Sequence, residues 1–209
     1  MSDTISIIKK ISIRARFAIA LTCVKKELRQ EGLLEDEFAR IIIDKYAQFT
    51  SCRKFDVWLD EVDHYVPGAQ GLDCHLSFIN NRFESADDII KSLTEINNKY
   101  LSSCGTTSHS TWYQGIQLPI CRKSVYEDLL VFYNLIEERL AKMLNQTYEI
   151  AIADMYCSTG KYSESSLRPL LKVIEMSDYA FDFKEIMGVY PFSEDGGWGH
   201  SFEFKTFMK

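Results

Sequence analysis

IRARFAIALTCVKKELRQ, Ile13 to Gln30, is the stretch on which the fold turns. Ile13, Phe17, Leu21, Val24 and Leu28 recur at steps of three and four, with Lys25, Lys26 and Arg29 elsewhere on the wheel. This is the period of an amphipathic α-helix, which the spacing predicts from about Thr4 to Gln30, with Gly32 ending it. Outward from this segment the same period repeats. Phe38, Ile42, Tyr46 and Phe49 predict a helix beginning near Glu35; after the cap offered by Thr50 and Ser51, Phe55, Trp58, Leu59, Val62 and Tyr65 predict another, stopped by Pro67 and Gly68.

Further on, an apolar segment from Leu72 to Phe83 reads as three helical turns. Ser85, with Asp87 and Asp88 in the first turn, caps a helix carrying Ile89, Leu93, Ile96 and Tyr100. The pattern fails from Ser102 to Pro119, a long polar stretch of the kind that serves as a functional surface. It returns from Lys123 to Tyr156 and again from Ser163 to Ile174, where Pro169 either bends the helix or marks a later start. A short helix is expected from Tyr179 to Met187, and the alternation of His200 to Phe207 predicts a terminal strand or hairpin. The expected fold class is all-α: an irregular multi-helix bundle or helix-pair array of six to seven helices with a short C-terminal strand, in a single domain over residues 1–209 with a subdivision at the 102–119 loop.

Composition narrows the function classes. The 209 residues are 46% hydrophobic and 26% charged, and 24 Lys plus Arg stand against 30 Asp plus Glu. Nucleic acid is an unsuitable partner for a chain of net charge −6, whereas basic proteins suit it. The six cysteines form no CxxC pair, which predicts free thiols in a reducing compartment. Lys9, Lys10, Arg14 and Arg16 ahead of Phe17 to Leu21 imitate a signal peptide, but the apolar run is short and is followed at once by Lys25 and Lys26. No stretch has the length of a membrane span, so the expectation is a cytoplasmic chain with no membrane or nucleic-acid partner and no cofactor.

No catalytic or nucleotide-binding signature is present: no G-x-S-x-G, H-E-x-x-H, Walker loop or G-x-G-x-x-G after a strand. Glu61 and His64 have the E-x-x-H spacing without the second pair that a di-metal bundle needs. Asp60, Asp63 and His64, with Asp73, Cys74 and His75, are competent ligands for a single metal ion, although acids at a helix end more commonly serve as caps or solvated charges. Residues 31–63 hold nine acids against four bases. Asp56, Asp60, Glu61 and Asp63 are therefore candidate contacts to a basic partner, joined by the aromatic anchors Trp112, Tyr113 and Trp198 from aperiodic segments. For each aromatic, packing on the helical body is the competing role.

ARFAIALTCVKKELRQ together with CRKFDVWLDEV resembles the start of all-helical immunity proteins of bacterial toxin systems, small antidotes that bind a cognate toxin. The likeness covers about the first third of the chain and lies in general helical character; no binding residue carries over. It implies stoichiometric toxin binding without catalysis, and the leading expectation is accordingly a non-enzymatic module that neutralises or sequesters a protein partner, a basic toxin domain first among them. The competing expectations are a motif-less or metal-dependent helical enzyme built on His64, Asp73, His75 or His109, and a bundle that senses a small ligand in an internal cavity.

Overall fold

The computed structural model describes residues 2–67, 111–113, 116–118, 131–155 and 158–207. The described residues are mostly helical, and the all-α class holds. Helices α1 (Ser2–Ile8), α2 (Ile13–Gln30), α3 (Glu37–Ala47) and α4 (Phe55–Val62) come first. A short antiparallel ribbon pairs β1 (Thr111–Tyr113) with β2 (Ile116–Leu118) inside the stretch expected to be irregular. Then follow α5 (Glu138–Ile152), α6 (Glu164–Met176) and α7 (Phe183–Val189). The helices expected over Leu72 to Phe83 and Ser85 to Tyr100 lie outside the described residues.

Contacts group the chain into two compact units, one of residues 1–55 with 136–209, the other of residues 56–135. In the first, α2 is the central element and packs against α3, α5 and α6. Thirteen of its eighteen residues are buried, from Ile13 and Ala15 through Phe17, Ile19 and Leu21 to Leu28. A helix buried around most of its circumference is a core helix, and burying a Leu, Ile or Phe side chain contributes about 1.5–3 kcal/mol each. The other helices give it one face: Ile42 and Tyr46 from α3, Leu140, Met143 and Leu144 from α5, Leu167, Leu170 and Val173 from α6. In the second unit Trp58, Val62 and Val66 are buried, as is Phe132, and the Tyr133 hydroxyl donates to the Tyr65 carbonyl.

Three expected elements differ. The helix predicted from Thr4 to Gln30 is broken between Ile8 and Ile13, with Ser12 extended as the N-cap of α2 (φ −61°, ψ 155°). Backbone groups freed there are taken up by the far end of the chain: Ser12 N–H donates to the Tyr190 carbonyl, Phe192 N–H to the Lys10 carbonyl and Arg14 N–H to the Trp198 carbonyl. The helix expected from Lys123 is likewise interrupted, residues 131–135 being helical and α5 starting afresh after an extended Glu137 (φ −64°, ψ 147°). The C-terminal strand is not formed. A strand needs a ladder partner, and His200 to Phe207 has only single bonds such as Phe202 N–H to the Thr50 carbonyl before a 3₁₀ turn at Phe204–Thr206. Its alternating aromatics serve two separate contacts, Phe202 against Tyr190 and Phe207, Phe204 beneath Lys25. Pro169 neither delays nor breaks α6, which starts at Glu164 behind Ser163 and runs through it.

Candidate functional site

Asp36 is the N-cap of α3, its carboxylate accepting from Phe38 N–H at 2.8 Å and Ala39 N–H at 3.2 Å. That cap, with Glu37 in the first turn, explains part of the acidic composition as helix architecture. Glu35, Glu37 and Asp44 remain exposed on and beside α3. In α4, Asp56 occupies the first turn and is exposed; Asp60 lies one turn on in the same helix. Glu61 and Asp63 are half-buried and engaged with neighbours, Asp63 opening the 3₁₀ turn Asp63–Tyr65 that contains His64. Asp73, His75 and His109 lie outside the described residues, among which no three His, Cys, Asp or Glu side chains gather as metal ligands.

The aromatic candidates separate. Trp112 and Tyr113 lie in β1, in register with Gln117 and Ile116. Trp198 takes the packing role: its ring lies 4.5 Å from that of Phe55 and 6.3 Å from that of Phe49, and its carbonyl accepts from Arg14 N–H. The glycines around it have a structural reason as well. Gly199 has φ +82°, and a Cβ there would stand 2.5 Å from the Ser12 Cβ, so the tail closes on the α1–α2 joint only with glycine at that position.

The polar groups that sequence reasoning missed are buried within α2 itself. Arg16, fully buried, donates from Nη1 to the Ser163 carbonyl (2.9 Å) and Ser166 Oγ (2.8 Å), and from Nη2 to the Lys9 and Tyr162 carbonyls (both 2.8 Å). Its guanidinium lies 5.1 Å from the centroid of the Phe192 ring. Burial pulls it down to about 10, the Asp154 carboxylate acting in the opposite direction, so it is cationic at neutral pH. Asp154 accepts in turn from the hydroxyls of Ser163 and Ser165. Arg14 closes the other side of the helix, donating to the Phe49 carbonyl at 2.6 Å and the Cys52 carbonyl at 2.8 Å while resting 4.8 Å from the Phe55 ring. Glu27, fully buried, accepts from Arg139 of α5 at 2.5 Å. The signal available in the sequence was the FAIALTCV run, apolar on every side, which obliges any charge in the same helix to be buried with partners.

These groups are fasteners. The Ser163 hydroxyl is turned to Asp154 and accepts from Ser166 N–H, an arrangement that fixes a left-handed turn (φ 43°) and caps α6. The cleft beside it, about 650 Å³ and open to solvent, is lined by both signs of charge, with Lys9 paired to Glu164 at 3.3 Å. A second cleft, about 260 Å³, is different in kind: Lys25, Lys26, Arg29 and Lys205 line it with Tyr179 and Phe204 and with no carboxylate. Among the described residues no helix is long and apolar enough to cross a membrane. No family model matches the chain, nor does any curated protein or solved structure.

Proposed function

We propose that the chain is a protein-binding module that neutralises or sequesters a basic partner, in the manner of a toxin antidote. The observation that carries this reading is the exposure of Glu35, Glu37 and Asp44 around a helix whose cap is supplied separately by Asp36. Capping and the helix dipole account for carboxylates in a first turn; they do not account for Asp44, which lies near the C-terminal end of α3, where the dipole disfavours an acid. Asp56 and Asp60 of α4 offer further carboxylate positions, and Trp112 and Tyr113 of β1 further aromatic ones. An excess of one charge steers an oppositely charged protein and raises its association rate, and on and beside α3 three exposed carboxylates outnumber the exposed Arg40. Arg14 and Arg16 support a non-catalytic reading, since each ties α2 to the backbone of another segment.

The test is capture with the tagged full chain from its native cytosol at low salt, followed by association kinetics of the recovered protein. A single stoichiometric basic partner is expected, with Glu37→Lys/Asp44→Lys slowing association about tenfold and flattening its salt dependence. Asp56→Lys/Asp60→Lys is measured separately to assign or exclude α4. Recovery of the chain alone, or an unchanged rate in both charge reversals, overturns the reading.

A further inference from the structure

The cleft between the C-terminal half of α2 and the chain's last residues gathers four cations in a protein of net charge −6. Lys25, Lys26 and Arg29 sit at i, i+1 and i+4 on α2, and Lys205 arrives from the 3₁₀ turn Phe204–Thr206, so tertiary structure brings the fourth charge to the other three. The Lys25 ammonium lies 5.5 Å from the Phe204 ring centroid and the Lys26 ammonium 5.6 Å from that of Tyr179. These contacts hold two half-buried lysine stems against the cleft walls. None of the four cations has an ion pair among the described residues; Glu27, on the same helix, faces inward and is committed to Arg139. Asp178 and Glu203, each one residue from a lining aromatic, pair with none of them either.

Two architectural explanations fall short. Cations in the last turn of a helix are favoured by its dipole, which covers Arg29 but not Lys205. Lysine stems covering apolar rings explain Lys25 and Lys26 singly, but not four like charges in one small recess, where each disfavours the next. A bound anion resolves that repulsion. A cleft of about 260 Å³ has room for a compact, highly charged group.

We propose that this cleft is a binding site for a phosphate ester or pyrophosphate group, with Arg29 giving forked hydrogen bonds to the phosphate oxygens and Lys25, Lys26 and Lys205 supplying point charges around them. The aromatic walls accept whatever organic part the phosphate carries. The group belongs to a soluble metabolite or to a lipid headgroup, and both present the same chemistry. The site shares no residue with the acidic segment around α3, so the two readings stand or fall separately.

The probe is inorganic pyrophosphate, titrated calorimetrically into the full chain at low salt. Saturable one-to-one binding with a dissociation constant below about 1 mM is expected. Lys25→Gln weakens it about tenfold and Lys26→Gln/Arg29→Gln about a hundredfold, while Lys172→Gln, on an exposed face of α6, leaves it unchanged although it alters net charge equally. Far-UV circular dichroism confirms that each variant folds. Sedimentation with phosphatidylcholine vesicles containing a phosphoinositide then separates the sources: binding competed by pyrophosphate assigns a lipid headgroup, and absence of sedimentation assigns a soluble phosphate. Lack of saturable pyrophosphate binding, or an equal loss in Lys172→Gln, overturns the proposal.

Discussion

Arg16 shows most directly how single residues hold the first unit together. Its four donated bonds reach the α1–α2 joint, the turn before α6 and the first turn of α6, so one side chain fixes three segments. Replacing it with Met leaves those carbonyls and Asp154 buried without their cation, at a cost of about 3–5 kcal/mol. Arg16→Lys keeps the charge without the planar fork and recovers only part of this; urea midpoints order the three proteins wild type, Lys, Met. A midpoint for Met equal to that of wild type would remove Arg16 from the architecture. Cys23 adds a pH signature. Burial lifts its thiol from the ordinary 9.0 to about 11, so the unfolded chain loses this proton first as pH rises. Stability from this group is complete below pH 9 and lost through pH 11, by about 2–3 kcal/mol. Burial also raises the tyrosine hydroxyls of Tyr133 and Tyr190, and they steepen the same decline, so the contribution of Cys23 is read as the difference in slope between wild type and Cys23→Ala.

At the scale of elements, the joints are set by distant partners. Gly199→Ala tests this at the α1–α2 joint, where the added methyl meets Ser12 and the positive φ is itself unfavourable; a loss of about 2–3 kcal/mol is expected, with partial recovery in Gly199→Ala/Ser12→Gly. Equal stability of the single and double variants would show that φ alone carries the cost. The same joint explains what was legible in the sequence. The 3.6-residue period marked α2, α3, α4 and α6, because each buries apolar residues that recur at steps of three and four. Ser12 and Glu137 gave no sign of a break, since serine and glutamate are ordinary inside helices and the bonds that stabilise the Ser12 break come from Tyr190 and Trp198. Phe202 and Phe204 carried a two-residue period without a strand because their rings serve different neighbours. The acidic segment was visible as a local excess of charge. The basic cleft was not, because Lys205 joins Lys25, Lys26 and Arg29 only after the tail has docked.

At the scale of the whole molecule, exposed charge and stability are largely uncoupled among the described residues, in contrast to the buried Arg16 and Glu27. Of the ion pairs among the described residues, Glu27 with Arg139 alone has a fully buried partner; Lys9 with Glu164, Lys142 with Glu138 and His200 with Glu194 lie at the surface. Exposed pairs add little to stability and weaken in salt, while the net charge of −6 gives a small self-repulsion that salt relieves. The two effects oppose each other, so raising ionic strength from about 0.05 M to about 0.5 M moves the unfolding free energy by less than about 1 kcal/mol. Arg139→Met, which strands the Glu27 carboxylate in the core, costs about 3 kcal/mol at either salt concentration because buried charges are poorly screened. Both proposed binding surfaces draw on exposed charge, so the same salt series is expected to slow association with a basic partner and weaken pyrophosphate binding while chemical denaturation midpoints stay nearly constant. If the midpoint instead falls in step with binding, the exposed carboxylates and lysines are holding the helices together, and neither surface is free to recruit a ligand.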